Sequence, residues 1–229
     1  MAAVFVERPE TAADALVRRA HAGAYRYPTD FAGFRASVEW HVDGRSGSGT
    51  VVTRIGPETE NGIDIELEAD AVDDDRAWVE RELRSIVGHR RATAYELGDG
   101  RHAKRLGEGS GHPLGTVVEM DDEYGSSYRV SDDEISTVTR TLGERRFTIV
   151  VHDRLQAPDG TGLPTSFSVF YWDAASGALA SAEAYRDVPI DVQGILLPSS
   201  RTVVRGTSDG LTVRSLELTG HELVAGDRS

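Results

Sequence analysis

Hydrophobic positions in this chain recur at two spacings, helical at two places in its first half and alternating almost everywhere else. From Thr11 to Ala24, the residues Ala13, Leu16, Val17, Ala20 and Ala24 fall on one helical stripe, with Thr11 placed to cap its start. Pro28 ends that run, because the residue before a proline is pushed out of the helical region. Phe34 to Val42 then alternates, with Phe34, Ala36, Val38, Trp40 and Val42 on one face and Arg35, Ser37, Glu39 and His41 on the other, which predicts a half-buried strand. Asp43-Gly44 is a hairpin signal, and Gly49 to Ile55 reads as the partner strand. Ile63, Ile65 and Leu67 form a third. A second helix follows: Asp73 to Asp75 supply its cap and acidic first turn, Val79, Leu83, Ile86 and Val87 its apolar spacing, and His89 to Arg91 a basic end.

Gly98 to Gly115 is glycine-rich and reads as loop with one short strand at most. Beyond it the chain alternates between strand and turn: Thr116–Met120, Ser127–Val130, Glu134–Leu142, Arg146–Leu155, Ser166–Trp172, Leu179–Asp187, Ser200–Arg205 and Leu211–Glu222 are strand-like segments separated by Asp-, Ser- and Gly-rich turns. Helices early and strands in unbroken succession predict an α+β fold with an antiparallel meander of about 10–11 strands and two helices. The chain reads as one domain over residues 1–229, with its ordered core from about 11 to 224.

Composition narrows the partners. The net charge of −13 would repel a phosphate backbone, and no Lys/Arg stripe offsets it, so nucleic acid is an unsuitable partner. No run approaches the length a membrane span needs, and the short apolar patch Ala2–Val6 is broken by Glu7 and Arg8, unlike a secretory signal. With no cysteine in the chain, the expected compartment is the cytoplasm. Lys104 is the sole lysine, so arginine carries the remaining basic charge.

Several stretches resemble an uncharacterised bacterial family, the domain-of-unknown-function 3386 family. They run from Ala22–Phe34 and Arg35–Thr53 through Val87–Arg91, Gly125–Val130 and Glu134–Thr139 to Ser168–Gly177 and Glu183–Asp187. The opening is also similar to the LolA/LolB-like carrier and anchor proteins of lipoprotein sorting. That resemblance implies an open antiparallel half-barrel closed by helices on its concave face, around an apolar cavity for acyl chains.

Candidate chemistry is sparse. His89, His102 and His112, with His152 on a later strand, form the best transition-metal set, since neutral imidazoles from distant positions can converge; the simpler reading is a helix end and a solvated loop. Gly98-Asp-Gly100 matches part of a dinucleotide fingerprint behind a possible strand at Thr93–Leu97, but Gly107 and Gly111 stop the helix such a motif needs. The acidic triplets Asp121–Glu123 and Asp132–Glu134 read as turn chemistry. Aromatics are the remaining clue: Phe167, Phe170, Tyr171 and Trp172 put large apolar groups on both faces of one strand, so either face could look into a cavity. The expected function is binding or carriage of a small hydrophobic molecule or acyl chain, with Trp40, Phe147, Phe170 and Trp172 as wall and Tyr185 as polar contact. The alternatives are an enzyme using the same cavity, metal-assisted through the four histidines, and a partner-binding scaffold whose exposed apolar strand would associate.

Overall fold

The computed structural model of the protein describes residues 10–56, 62–108 and 111–226; the patch Ala2–Val6 lies outside them. Two helices, α1 (Ala12–Ala22) and α2 (Asp73–Arg90), accompany twelve strands. The first three strands are β1 (Gly33–Val42), β2 (Arg45–Ile55) and β3 (Ile63–Glu68). After α2 come β4 (Ala103–Leu106), β5 (Thr116–Asp121), β6 (Ser127–Ser131), β7 (Glu134–Leu142) and β8 (Arg145–Gln156). The last four are β9 (Gly162–Asp173), β10 (Leu179–Val192), β11 (Ile195–Thr207) and β12 (Gly210–Leu223).

All twelve join one antiparallel sheet in the order β3-β2-β1-β12-β11-β10-β9-β8-β7-β6-β5-β4. This is an α+β open half-barrel: the sheet curls over its helices but leaves β3 and β4 as edges. The twelfth strand is the short edge β4, the one short strand that the glycine-rich segment left room for. Thr93–Leu97 is not a strand; Tyr95–Leu97 forms a single 3₁₀ turn and Asp99–Arg101 another, so no helix follows the glycines. The β1–β2 turn is built as its residues demand, with Asp43 and Gly44 at φ 51° and 81°, the left-handed pair that matches strand twist.

Two separate cores lie on the helix-bearing face. One unites α2, through Trp78, Val79, Leu83 and Val87, with Val38, Trp40, Val51, Ile65 and Leu216 of the β3-to-β12 flank. The other unites α1, through Ala13, Val17 and Ala20, with Val118, Met120, Tyr128 and Val130 of the β4-to-β6 flank. The link between α1 and β1 crosses the sheet from one core to the other. It is tied down by Gly162 N–H to the Gly23 carbonyl (2.8 Å), Tyr25 N–H to the Gly162 carbonyl (3.0 Å) and Leu196 N–H to the Tyr25 hydroxyl (2.8 Å). Among the described residues no helix is long and apolar enough to cross a membrane.

Candidate functional site

Because each helix covers only one flank, the middle of the sheet is left without a lid. The consequence is clearest in β8, where no residue is fully buried although Phe147, Ile149 and Val151 point to the helix-bearing side. Val138, Ile149, Val151 and Phe167 form the floor of a cleft of about 240 Å³. Ala20 of α1, Ile86, His89 and Arg90 of α2 and the Gly23–Arg26 link make its walls. A cavity of about 150 Å³ lined by aliphatic side chains is enough to hold a benzene ring, so this cleft has room for a small apolar group or a bent length of chain.

One end of the cleft is charged. Arg201, 2% exposed, donates to both carboxylate oxygens of Asp187 at 2.7 Å and to Glu82 at 3.1 Å. Its guanidinium also lies over the rings of Phe167 and Tyr185, 5.7 and 5.1 Å from their centroids, and those two rings stack at 4.6 Å. Burial is the first influence on the Arg201 pKa and acts downward, but hydrogen bonding to Asp187 and the charges around it leave it raised. Burial likewise pushes the Tyr185 phenol up, helped by the charge of Glu82 and by its hydrogen bond to Glu183 (2.7 Å). The ion pairs and ring stack form a fixed partition. On its far side lies a polar groove of about 600 Å³ lined by Glu82, Tyr171, Glu183 and Arg205, where burial pushes the Tyr171 phenol up to about 12.

The five ligand-wall positions expected from sequence do not meet. Trp40 is 1% exposed in the α2 core, where it pairs with Gly47 rather than facing a cavity. Phe147 and Tyr185 are on the helix-bearing face, Phe147 opposite Tyr171 and Tyr185 opposite Phe167. Phe170 and Trp172, one residue out of phase, lie on the other face, with Arg146 over the Trp172 ring at 5.3 Å. Of the aromatic residues of that strand, the one that reaches the cleft is Phe167.

The four histidines are also dispersed. His89 lines the cleft at an exposed position, where loss of hydration against the surrounding walls, then the charges of Arg201 and Arg26, hold its imidazole below the ordinary value despite a hydrogen bond to the Ser85 backbone. His102 follows the second 3₁₀ turn, His112 caps its own loop by accepting from Leu114 N–H at 3.1 Å, and His152 pairs with Ser168 at 2.9 Å. Among the described residues no three His, Cys, Asp or Glu side chains are grouped to hold a metal ion. The acidic triplets serve turns and ion pairs: Asp122 accepts from the backbone of Tyr124 and Ser126, Asp132 and Asp133 take left-handed φ values, and Glu134 pairs with Arg154.

Sequence reading missed Arg201 and Asp187. A faint signal existed, since both stand in phase with apolar or aromatic positions two residues away, Val203 and Tyr185, on a face that must be covered. Nothing local reveals that the two charges face each other across the β10–β11 ladder.

The sequence profile of the family described as "Protein of unknown function (DUF3386)" matches residues 8–224. No curated protein matches the chain. Among solved structures, a LolA superfamily protein from Nitrosomonas europaea is similar at 10% identity and TM-score 0.34, covering 93% of this chain and 94% of its own. A putative outer membrane lipoprotein-sorting protein domain from Vibrio parahaemolyticus has 8% identity and TM-score 0.41, covering 93% of each chain. A DUF1329 family protein from Desulfovibrio piger has 10% identity and TM-score 0.31, covering 97% of this chain and 96% of its own.

Proposed function

The chain belongs to the DUF3386 family, whose description assigns no activity, and we propose that it binds and carries a hydrophobic small molecule or acyl chain in the cleft between α1 and α2. The observation that carries this reading is the half-buried strip Ile149, Val151 and Phe167, apolar side chains in the middle of the sheet beyond the reach of either helix core, continued by Val138 at the margin of the α1 core. Leaving such groups partly wet forgoes roughly 25 cal/mol for each Å² that could be buried, and a ligand restores it. An apolar recess with a few fixed polar groups at one end is the usual form of a small-molecule site. The rigid partition made by Arg201, Asp187 and Glu82 gives that recess a definite end.

The test is binding of the fluorescent apolar probe N-phenyl-1-naphthylamine, beside native mass spectrometry of freshly purified protein. The expected result is saturable binding that Val151→Trp weakens by about tenfold or more, since the indole occupies the space the ligand needs. Binding unaffected by Val151→Trp in a folded variant would place the probe elsewhere. Absence of both probe binding and any retained organic mass overturns the proposal.

A further inference from the structure

The cleft holds more positive charge than its apolar floor accounts for. In a chain of net charge −13, four arginines line this one recess: Arg26, Arg90, Arg154 and Arg201. Three carboxylates answer them. Asp187 and Glu82 are taken by Arg201 at 2.7 and 3.1 Å, and Glu134 by Arg154 at 3.0 Å. Arg90, 3% exposed, reaches only the Asp187 oxygen that Arg201 already uses, at 3.7 Å, and its buried Nη1 has no hydrogen-bond partner. Tyr27, whose buried hydroxyl also lacks a hydrogen bond of good geometry, lies close enough to Arg90 to be its polar neighbour on that side. Arg26 is held by its own neighbour, donating to the Tyr25 carbonyl at 3.0 Å, and has no carboxylate within 4 Å among the described residues. Asp99 attracts Arg26 only at longer range, with its carboxylate hydrogen-bonded by Tyr128 at 3.1 Å.

Arg26, half-buried in the cleft wall, is thus left without a short-range carboxylate partner, with Asp99 attracting it only from farther off. A guanidinium cannot lose its proton to relieve this, and a charge partly removed from water without a close partner costs stability. An anion brought by the ligand would remove the imbalance. We infer that the ligand is an anionic amphiphile, a single-chain carboxylate whose head is held by Arg26 with Arg90 behind it. Its chain lies along Val138, Ile149 and Val151. The inference rests on the carrier reading and adds the chemistry of the head. One uncompensated charge matches a monoanion better than a phosphate dianion.

The experiment displaces the bound probe from the full chain with four ligands of equal chain length: dodecanoate, dodecanol, dodecylamine and dodecyl phosphate. The expected result is dodecanoate effective at least about tenfold below dodecanol, as a charge-assisted hydrogen bond warrants, and dodecylamine the weakest. Arg26→Gln abolishes that preference, and Arg26→Lys restores part of it; thermal melting of each variant confirms the fold. Equal displacement by acid and alcohol overturns this inference and leaves the carrier reading standing. So does a preference for the acid that survives in both Arg26→Gln and Arg90→Gln, and dodecyl phosphate outcompeting dodecanoate overturns the monoanion assignment. Displacement by none of the four overturns the inference together with the carrier reading.

Discussion

Single side chains in this protein are held by partners far away in sequence. Arg201 and Asp187 form a two-point ion pair inside the sheet, with Glu82 of α2 on the third side. Removing one member leaves a buried charge unanswered, so Asp187→Asn should lower unfolding free energy by about 3–5 kcal/mol in urea titration. Lys104, the sole lysine, has a fully buried side chain whose Nζ donates to Asp14 at 3.1 Å and to the His102 carbonyl at 2.9 Å. An amine-reactive reagent should therefore spare Lys104 in the native protein and modify it once the chain is unfolded, as peptide mapping would show. His89 supplies a pH dependence of defined sign. Its imidazole pKa is lowered by the cleft walls beside it and by Arg201 and Arg26, so the unfolded chain takes up the proton first. The stability tied to the neutral ring is whole above the ordinary value of about 6.5 and is lost as pH falls through the folded one. Between pH 7 and 5, the wild-type protein should lose more stability than His89→Gln; equal losses would count against the assignment.

At the scale of elements, α1 starts at the residue its sequence marks as the cap. Thr11 caps it, with its hydroxyl accepting from Asp14 N–H at 3.1 Å and the Asp14 carboxylate accepting in return from Thr11. Thr11→Ala should cost about 1 kcal/mol in chemical denaturation. The acidic run before α2 predicts a helix start, which is right, but not its use. The cap residue is Val72, with no side-chain hydrogen bond, while Asp75 is buried and bound by Arg45 from β2. Competition of this kind is invisible locally, because Arg45 and Asp75 meet only after the hairpin and helix have docked. The β1–β2 ladder shows the same dependence on context. A side chain at Gly47 would meet the Trp40 ring at 2.2 Å, so the indole lies flat over a strand position that only glycine leaves open. Gly47→Val should destabilise by about 1–3 kcal/mol and lower the melting temperature.

For the whole molecule, the decisive feature is how the meander closes on itself. β12 pairs with β1, Leu223 opposite Phe34, so the last strand lies between the first hairpin and the rest of the sheet. That pairing splits the helix-bearing face into two cores and leaves β7 to β9 between them. Period-two alternation and turn residues determined nearly all the strands, since each depends on neighbours within a few positions; the short edge β4, with no alternation of its own, was allowed for among the glycines but not located. Composition determined the strong negative charge. Alternation alone could not say which face of β9 would be inside, because both are apolar; Phe167 faces the cleft while Phe170 and Trp172 face away. Only the tertiary structure settled that, and it also buried Trp40, dispersed the four histidines and gathered Arg26, Arg90, Arg154 and Arg201 around one recess. The physical reason is range: a strand or turn is fixed by backbone geometry a few residues long, whereas a cleft is fixed by which helix covers which strand, a choice made by side chains a hundred or more positions apart.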